Sequence, residues 1–248
     1  MICHLPGNIL HNIAVTILTV AKQSEKSWFA QIRSLCFTYN LPHPLLLLRE
    51  PPPKEQFKRL LKNNITDYWQ SKLRDQSASL SSLKYFKPQF MSLQRPHPMW
   101  SSARTSYQVN KCVVTARMLS GRYRCGSLLR HFSQSCTGLC ELCGEEQEDL
   151  SHILLPQCPL LQERKELLTQ FTRDRLATSP TALSIFEHLL SSNNHDHFIQ
   201  FLLDPSAVPE IISAVQTEPD ILNSVFRVTT TWCYAMHRSR LKLLGKWA

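Results

Sequence analysis

Apolar residues recur along most of the chain at intervals of three and four, the spacing of one buried face of an α-helix. Over residues 9–21, Ile9, Leu10, Ile13, Ala14, Ile17 and Leu18 mark such a face, and a helical or mixed segment follows through Trp28, Phe29, Ile32, Leu35, Phe37 and Tyr39. Phe57, Leu60, Leu61, Ile65 and Tyr68 predict a long helix over about 54–80, with Trp69 and Leu73 drifting off its face and Lys58 and Lys62 flanking it. Val109, Cys112, Val113, Ala116 and Leu119 define a cleaner arc with Lys111 and Arg117 opposite, and Gly121 stands where a C-cap glycine belongs. Farther on, Leu160, Arg164, Leu167, Leu168 and Phe171 share a face. Ser179-Pro180 offers a cap and a first-turn proline ahead of Ala182, Ile185, Phe186, Leu189 and Leu190. Leu222, Val225, Phe226, Thr229, Trp232, Cys233 and Met236 form the tightest stripe, which reads as core. The expected fold class is mainly α, an irregular helical bundle with no internal repeat.

Prolines, not glycines, punctuate the first half. Pro42 and Pro44 on one side and Pro51-Pro52-Pro53 on the other bracket residues 45–48, which are expected to be extended because each proline biases its predecessor away from the α region. A second break, 81–106, alternates cations and rings in Lys84-Tyr85-Phe86-Lys87-Pro88 and Arg95-Pro96-His97-Pro98-Met99-Trp100. That mixture suits stacking on unpaired bases, and it equally suits a loop anchored into a core by Phe86, Phe90 and Trp100; without a known single-strand-binding pattern, anchoring is preferred.

A chain of 248 residues with 43% hydrophobic content can build one large domain or two small ones. Its formal net charge of +9 conceals two unlike halves: residues 1–135 carry 19 basic and 5 acidic groups, residues 136–248 carry 9 and 14. The basic half points to a polyanionic partner, most simply nucleic acid. The chain has only six glycines and no GxxxxGK[ST] or GxGxxG phosphate cradle. No apolar run reaches the ~18–20 residues of a membrane span. The 9–21 segment has no Lys or Arg before it, so it lacks the basic start of a secretory signal, and an intracellular, nuclear or cytoplasmic location is expected.

Cys140, Cys143, His152 and Cys158 form the pattern C-x2-C-x8-H-x5-C. A CxxC turn lets two thiolates point at one ion, and Gly144 can take the left-handed conformation that frees amides to bond the sulfurs. His152 falls in an expected short helix that Glu148-Asp149 can cap, and Cys158 falls at the N-cap before Pro159. Four such ligands close a tetrahedral zinc site of the structural type, with no open position for water or substrate. Disulfides are the competing reading, disfavoured by an odd count of nine cysteines and the missing secretory signal. Buried, unconnected thiols are the default for Cys3, Cys36, Cys112 and Cys233. Cys136 and His131 lie close enough in sequence to serve as substitute ligands. The domain organisation expected is a basic helical region with proline-rich breaks (1–135), a zinc module (136–160) and a C-terminal helical region (159–248).

The runs Ala116-Arg117-Met118-Leu119-Ser120-Gly121-Arg122-Tyr123-Arg124, Gly138-Leu139-Cys140-Glu141-Leu142-Cys143, Glu148-Asp149-Leu150-Ser151-His152-Ile153-Leu154-Leu155 and Cys158-Pro159 resemble the region after the reverse transcriptase in LINE-type, jockey-like non-LTR retrotransposon polyproteins. The likeness is most specific over about 104–170. It implies that Cys140, Cys143, His152 and Cys158 are a zinc module that contacts nucleic acid during target-primed reverse transcription. One departure is that the family commonly places four residues between the histidine and the last cysteine, where Pro156-Gln157 here make five.

Polymerase and nuclease chemistry are not expected. Reverse transcriptases need paired catalytic aspartates for two metal ions, and this chain has no Asp-Asp. Some relatives carry a nuclease built on Pro-Asp followed by a further Asp, yet no Asp or Glu follows Pro219-Asp220. The expected function is noncatalytic binding of RNA or DNA backbone. Lys111, Arg117, Arg122, Arg124 and Arg130 are the preferred phosphate contacts and Tyr123 a stacking ring. A reverse transcriptase domain is a further expected partner, with no membrane and no small-molecule substrate. The alternative is a helical interaction module, or decayed fragment, without nucleic-acid affinity of its own.

Overall fold

The computed structural model describes residues 9–155 and 157–246; Cys3, Pro156 and the side chains of Ile9, Leu10 and Ala14 fall outside the described residues. The chain is mainly helical, and among the described residues the only β-type pairing is an isolated antiparallel bridge between Leu139 and Gln147. Packing divides the molecule into two compact units at Lys72.

The first unit holds α1 (Ile9–Gln23), α2 (Trp28–Thr38), α3 (Pro44–Arg49) and most of α4 (Lys54–Ser79). Ser27 caps α2 by accepting from the Ala30 amide, and Phe29 and Cys36 are the buried positions of that helix. Residues 45–48 are helical, not extended, which corrects the expectation from the flanking prolines. Pro44 occupies the first helical turn, where its fixed φ favours the helix, and the His43 side chain caps that turn. Only the residue before each proline is restricted, and Glu50 before Pro51 already lies past the helix end. The long helix expected over 54–80 is α4.

The second unit contains α5 (Pro98–Ser101), α6 (Ser106–Leu119), α7 (Gly126–Leu129), α8 (Leu150–Leu154), α9 (Gln162–Leu176), α10 (Pro180–Ser191), α11 (His195–Leu203), α12 (Pro209–Val215) and α13 (Ile221–Leu243). α13 is its axis, touching α5, α6, α8, α9, α11 and α12. Its stripe is core as expected: Val225, Phe226, Thr229, Trp232, Cys233 and Met236 are buried. Trp232 packs edge-on against Phe186 and Phe198, with ring centroids 6.4 and 5.8 Å apart. Each fully buried side chain of this size contributes about 1.5–3 kcal/mol, so this aromatic cluster holds α10 and α11 against α13.

Caps follow the sequence closely. Thr105 and Gln108 form a reciprocal capping box at the start of α6. At its end Gly121 has φ +65°, and the amides of Gly121 and Arg122 donate to the Met118 and Arg117 carbonyls in a Schellman arrangement. Ser179 caps α10 ahead of Pro180.

Buried faces are less faithful. In α6 the inward residues are Cys112, Val114, Thr115, Met118 and Leu119, while Val109 is exposed. In α9 they are Leu168, Thr169, Thr172 and Leu176, and Leu160 and Leu167 are exposed. The 81–106 break is anchored by Met99, 2% exposed, with Tyr85, Phe86 and Met91 packed on the core; Phe90 and Trp100 are exposed. A helix with apolar residues on more than one side turns in whichever arc its neighbours cover, and α13 decides this for both helices. Charge changes sign near Ser135, but packing does not divide there: Val114, Met118, Leu119 and Tyr123 share one core with Cys140, Ile153 and Cys158.

Candidate metal centre

The site begins with a tight hairpin. The Glu148 amide donates to the Gly138 carbonyl at 2.9 Å, the Cys140 amide to the Glu146 carbonyl at 2.8 Å, and the Gly144 amide to the Cys140 carbonyl at 2.8 Å. Gly144 takes φ +73°, the conformation its position after the second cysteine predicts. Asp149 then caps α8 by accepting from the His152 amide at 2.8 Å, which points the imidazole back at the hairpin. Cys158 is the N-cap of a short 3-10 turn, Pro159–Leu161, that leads into α9.

These three local structures bring Cys140, Cys143, His152 and Cys158 together, with the four ligand atoms all within 4.8 Å of one another. Cys143 Sγ lies 3.4 Å from His152 Nε2. A tetrahedral ion with bonds of about 2.3 Å to sulfur and 2.0–2.1 Å to nitrogen separates its donors by roughly 3.5–3.8 Å, so the cluster fits one such ion. Cys158 belongs to the group despite the extra residue after the histidine. Cys136 and His131 do not; the Cys136 thiol lies 3.8 Å from the Gly126 carbonyl instead.

Outer partners orient the donors. Glu146 Oε2 lies 3.2 Å from His152 Nδ1, leaving Nε2 to face the sulfurs, a carboxylate–histidine pairing common around bound metals. Burial pushes the Cys143 thiol up, but the amides of Glu145 and Glu146, with Cys140 and His152, bring it down to about 7. Burial raises Cys140, and it pushes Cys158 up to about 12, with the neighbouring sulfurs adding to the effect. Packing three thiols and an imidazole this closely is costly unless a cation shares their charge.

Sequence reasoning missed the residue that holds the hairpin in place. Glu148 is 1% exposed, accepts the Gly126 amide at 2.7 Å and receives two hydrogen bonds from Arg240 of α13. It sits in an acidic run, Glu145 to Asp149, that reads as a solvated, cap-forming stretch, and nothing local distinguishes it. Trp232 adds a second tie, donating from Nε1 to the Leu154 carbonyl at the end of α8.

The expected nucleic-acid residues are placed unevenly. Arg117, Arg122, Arg124 and Arg130 are exposed. Lys111 is half-buried, donating to Thr231 Oγ1 at 3.0 Å over the Tyr107 ring. Tyr123 is 6% exposed and packs into the core, its hydroxyl 3.1 Å from His237 Nδ1, so its ring is covered by protein and not presented for stacking.

Fold and site together define a helical protein with a clustered Cys3His group able to hold a metal ion. Comparison with protein-family models, with curated proteins and with solved structures finds no match to the chain. No described helix is long and apolar enough to cross a membrane.

Proposed function

We propose that this chain is a noncatalytic, zinc-stabilised nucleic-acid-binding portion of a retroelement reverse-transcriptase protein. The observation that carries the reading is the convergence of Cys140, Cys143, His152 and Cys158 on one point, the four residues that the resemblance assigns to zinc. Zinc is the ion that a Cys3His set with tetrahedral spacing favours. All four donors come from protein, so the ion serves as a strut and no position is left for a reacting water.

Nucleic-acid contact is assigned to the exposed guanidinium groups around this strut. Arg122 and Arg124 follow the Schellman end of α6, Arg117 lies in the last turn of that helix, and Arg130 packs its side chain over Gly138 of the hairpin. The hairpin itself carries five carboxylates between Glu141 and Asp149, so phosphate would be held beside it and not on it. The test is binding of labelled oligonucleotides by the purified, zinc-loaded chain across a salt series. Affinity should fall by orders of magnitude between low and moderate salt, and replacing all four arginines with Gln should weaken binding and flatten the slope. Salt-insensitive or absent binding would count against the reading.

A second reading, an interaction module, is favoured by one observation: Ile17, Val20, Leu35 and Phe37 of the first unit are exposed. A scaffold of this kind would self-associate in solution and show no affinity for nucleic acid.

A further inference from the structure

The C-terminal half, acidic on average, shares with the start of α6 a groove that is not. Between α9, α13 and the start of α6 lie two depressions of about 350 and about 660 Å³ that share Phe171 and Thr231 as common wall. Lys111, Arg175 and Arg227 line the first, and Arg164, Arg238 and Lys242 line the second. No Asp or Glu lines either. Among the described residues, Arg164, Arg175, Arg227 and Lys242 are all exposed and none forms an ion pair. Five of the carboxylates that make this half acidic belong to the hairpin between Glu141 and Asp149, and Glu163, Glu166 and Asp174 of α9 line neither depression.

Aromatic rings sit among these cations. Tyr107 is half exposed, packs edge-on against Tyr234 with centroids 5.6 Å apart, and has the Lys111 ammonium 4.5 Å above its face. Arg175 lies 5.4 Å from the Phe171 ring centroid. Burial lowers the Lys111 pKa, with Cys112 opposing the shift and the positive charge of Arg175 adding to it. A chain with a phosphate on every unit and a flat ring on every unit satisfies both features at once. An acidic peptide would satisfy only the first.

We infer that the groove between α9 and α13, edged by Tyr107, is a binding track for single-stranded nucleic acid, separate from the arginines around the metal module. It rests on the nucleic-acid reading above and adds a second contact surface to it. Residues 227 to 242 of α13 span roughly 22 Å at 1.5 Å per residue, the length of about six stacked nucleotides at 3.4 Å each.

The experiment uses the full, zinc-loaded chain and a labelled uridine 12-mer, read by fluorescence anisotropy over a salt series. The variant Arg164→Gln/Arg227→Gln/Lys242→Gln changes only exposed side chains, and its zinc content and circular dichroism verify the fold. It should bind at least tenfold more weakly, with a log–log salt slope reduced by about 2, since each lost single-strand phosphate contact removes about 0.7. A 12-mer carrying 4-thiouridine should photocrosslink to peptides containing Tyr107, Phe171 or Tyr234. Unchanged affinity of this variant, alongside loss of binding when Arg117, Arg122, Arg124 and Arg130 become Gln, would overturn the groove and leave the broader reading standing. No binding by the unaltered chain would overturn both. Crosslinks confined to other peptides, or equal displacement of the 12-mer by polyglutamate of matching charge, would also overturn the groove.

Discussion

Arg240 of α13 donates from Nε to Glu148 Oε1 and from Nη2 to Oε2, both at 2.6 Å, and the two side chains are 6% and 1% exposed. The pair lies 92 residues apart in sequence and joins the base of the hairpin that carries Cys140 and Cys143 to the axis of the second unit. The neighbouring carboxylate holds the guanidinium of Arg240 above its ordinary pKa against the opposing effect of burial. Glu148 also accepts the Gly126 amide, so its carboxylate is satisfied from two sides.

Breaking this pair should be expensive. Glu148→Gln leaves a buried guanidinium without its counter-charge, and removing one partner of a buried pair costs about 3–5 kcal/mol. Urea denaturation should show that loss. The double variant Glu148→Leu/Arg240→Leu should recover part of it, because no charge is then left stranded. Additive losses in the cycle would show that the two residues act independently.

Metal content separates ligands from bystanders. Elemental analysis should find one zinc per chain, and a strong chelator should reduce the helical circular dichroism. Cys143→Ser should lower zinc content and stability together. Cys136→Ser should leave zinc bound, because the Cys136 thiol faces the Gly126 carbonyl outside the cluster. Equal zinc loss in the two variants would contradict the assignment.

Gly121 tests the junction between α6 and the arginine segment. A Cβ there would clash with the Ser82 carbonyl oxygen, and φ +65° is a conformation that side chains disfavour. Gly121→Ala should therefore cost at least about 1–3 kcal/mol in chemical denaturation. A change near zero would mean that 81–83 moves aside without cost.

His237 makes stability depend on pH. Burial lowers its pKa below 6.5, and the charges of Arg240 and Arg117 lower it further. The unfolded chain therefore binds a proton more readily than the folded one. The contribution of His237 is fully present above pH 6.5 and is lost as pH falls from there toward the folded-state value. Urea midpoints between about pH 7.5 and pH 5.5 should decline more steeply for the unaltered chain than for His237→Gln. Parallel declines would assign the acid sensitivity to other groups, such as the cysteine ligands.

Caps and ligand spacing were legible in the sequence because they are local. Asp149, Ser179 and Gly121 act on backbone groups within a few residues, so their roles follow from short motifs that the fold does not override. The four positions of the Cys3His cluster were readable for a related reason: a CxxC turn, a capped short helix and an N-cap cysteine each aim a side chain by local geometry. The bracketing prolines were also local, but they act one residue to their N-terminal side, and α3 forms in the space between.

By itself the sequence determined the helical class, the caps and the Cys3His set, all consequences of chemistry acting over a turn or two of chain. Tertiary structure alone decided which arc of α6 and α9 faces inward, that Glu148 is buried against Arg240 while its acidic neighbours are not, and that Lys111, Arg164, Arg175, Arg227, Arg238 and Lys242 line two adjoining depressions. The physical reason is the same in each case. Burial and electrostatic field depend on what lies across a gap, and the partner across that gap comes from a distant stretch of chain that only packing brings near.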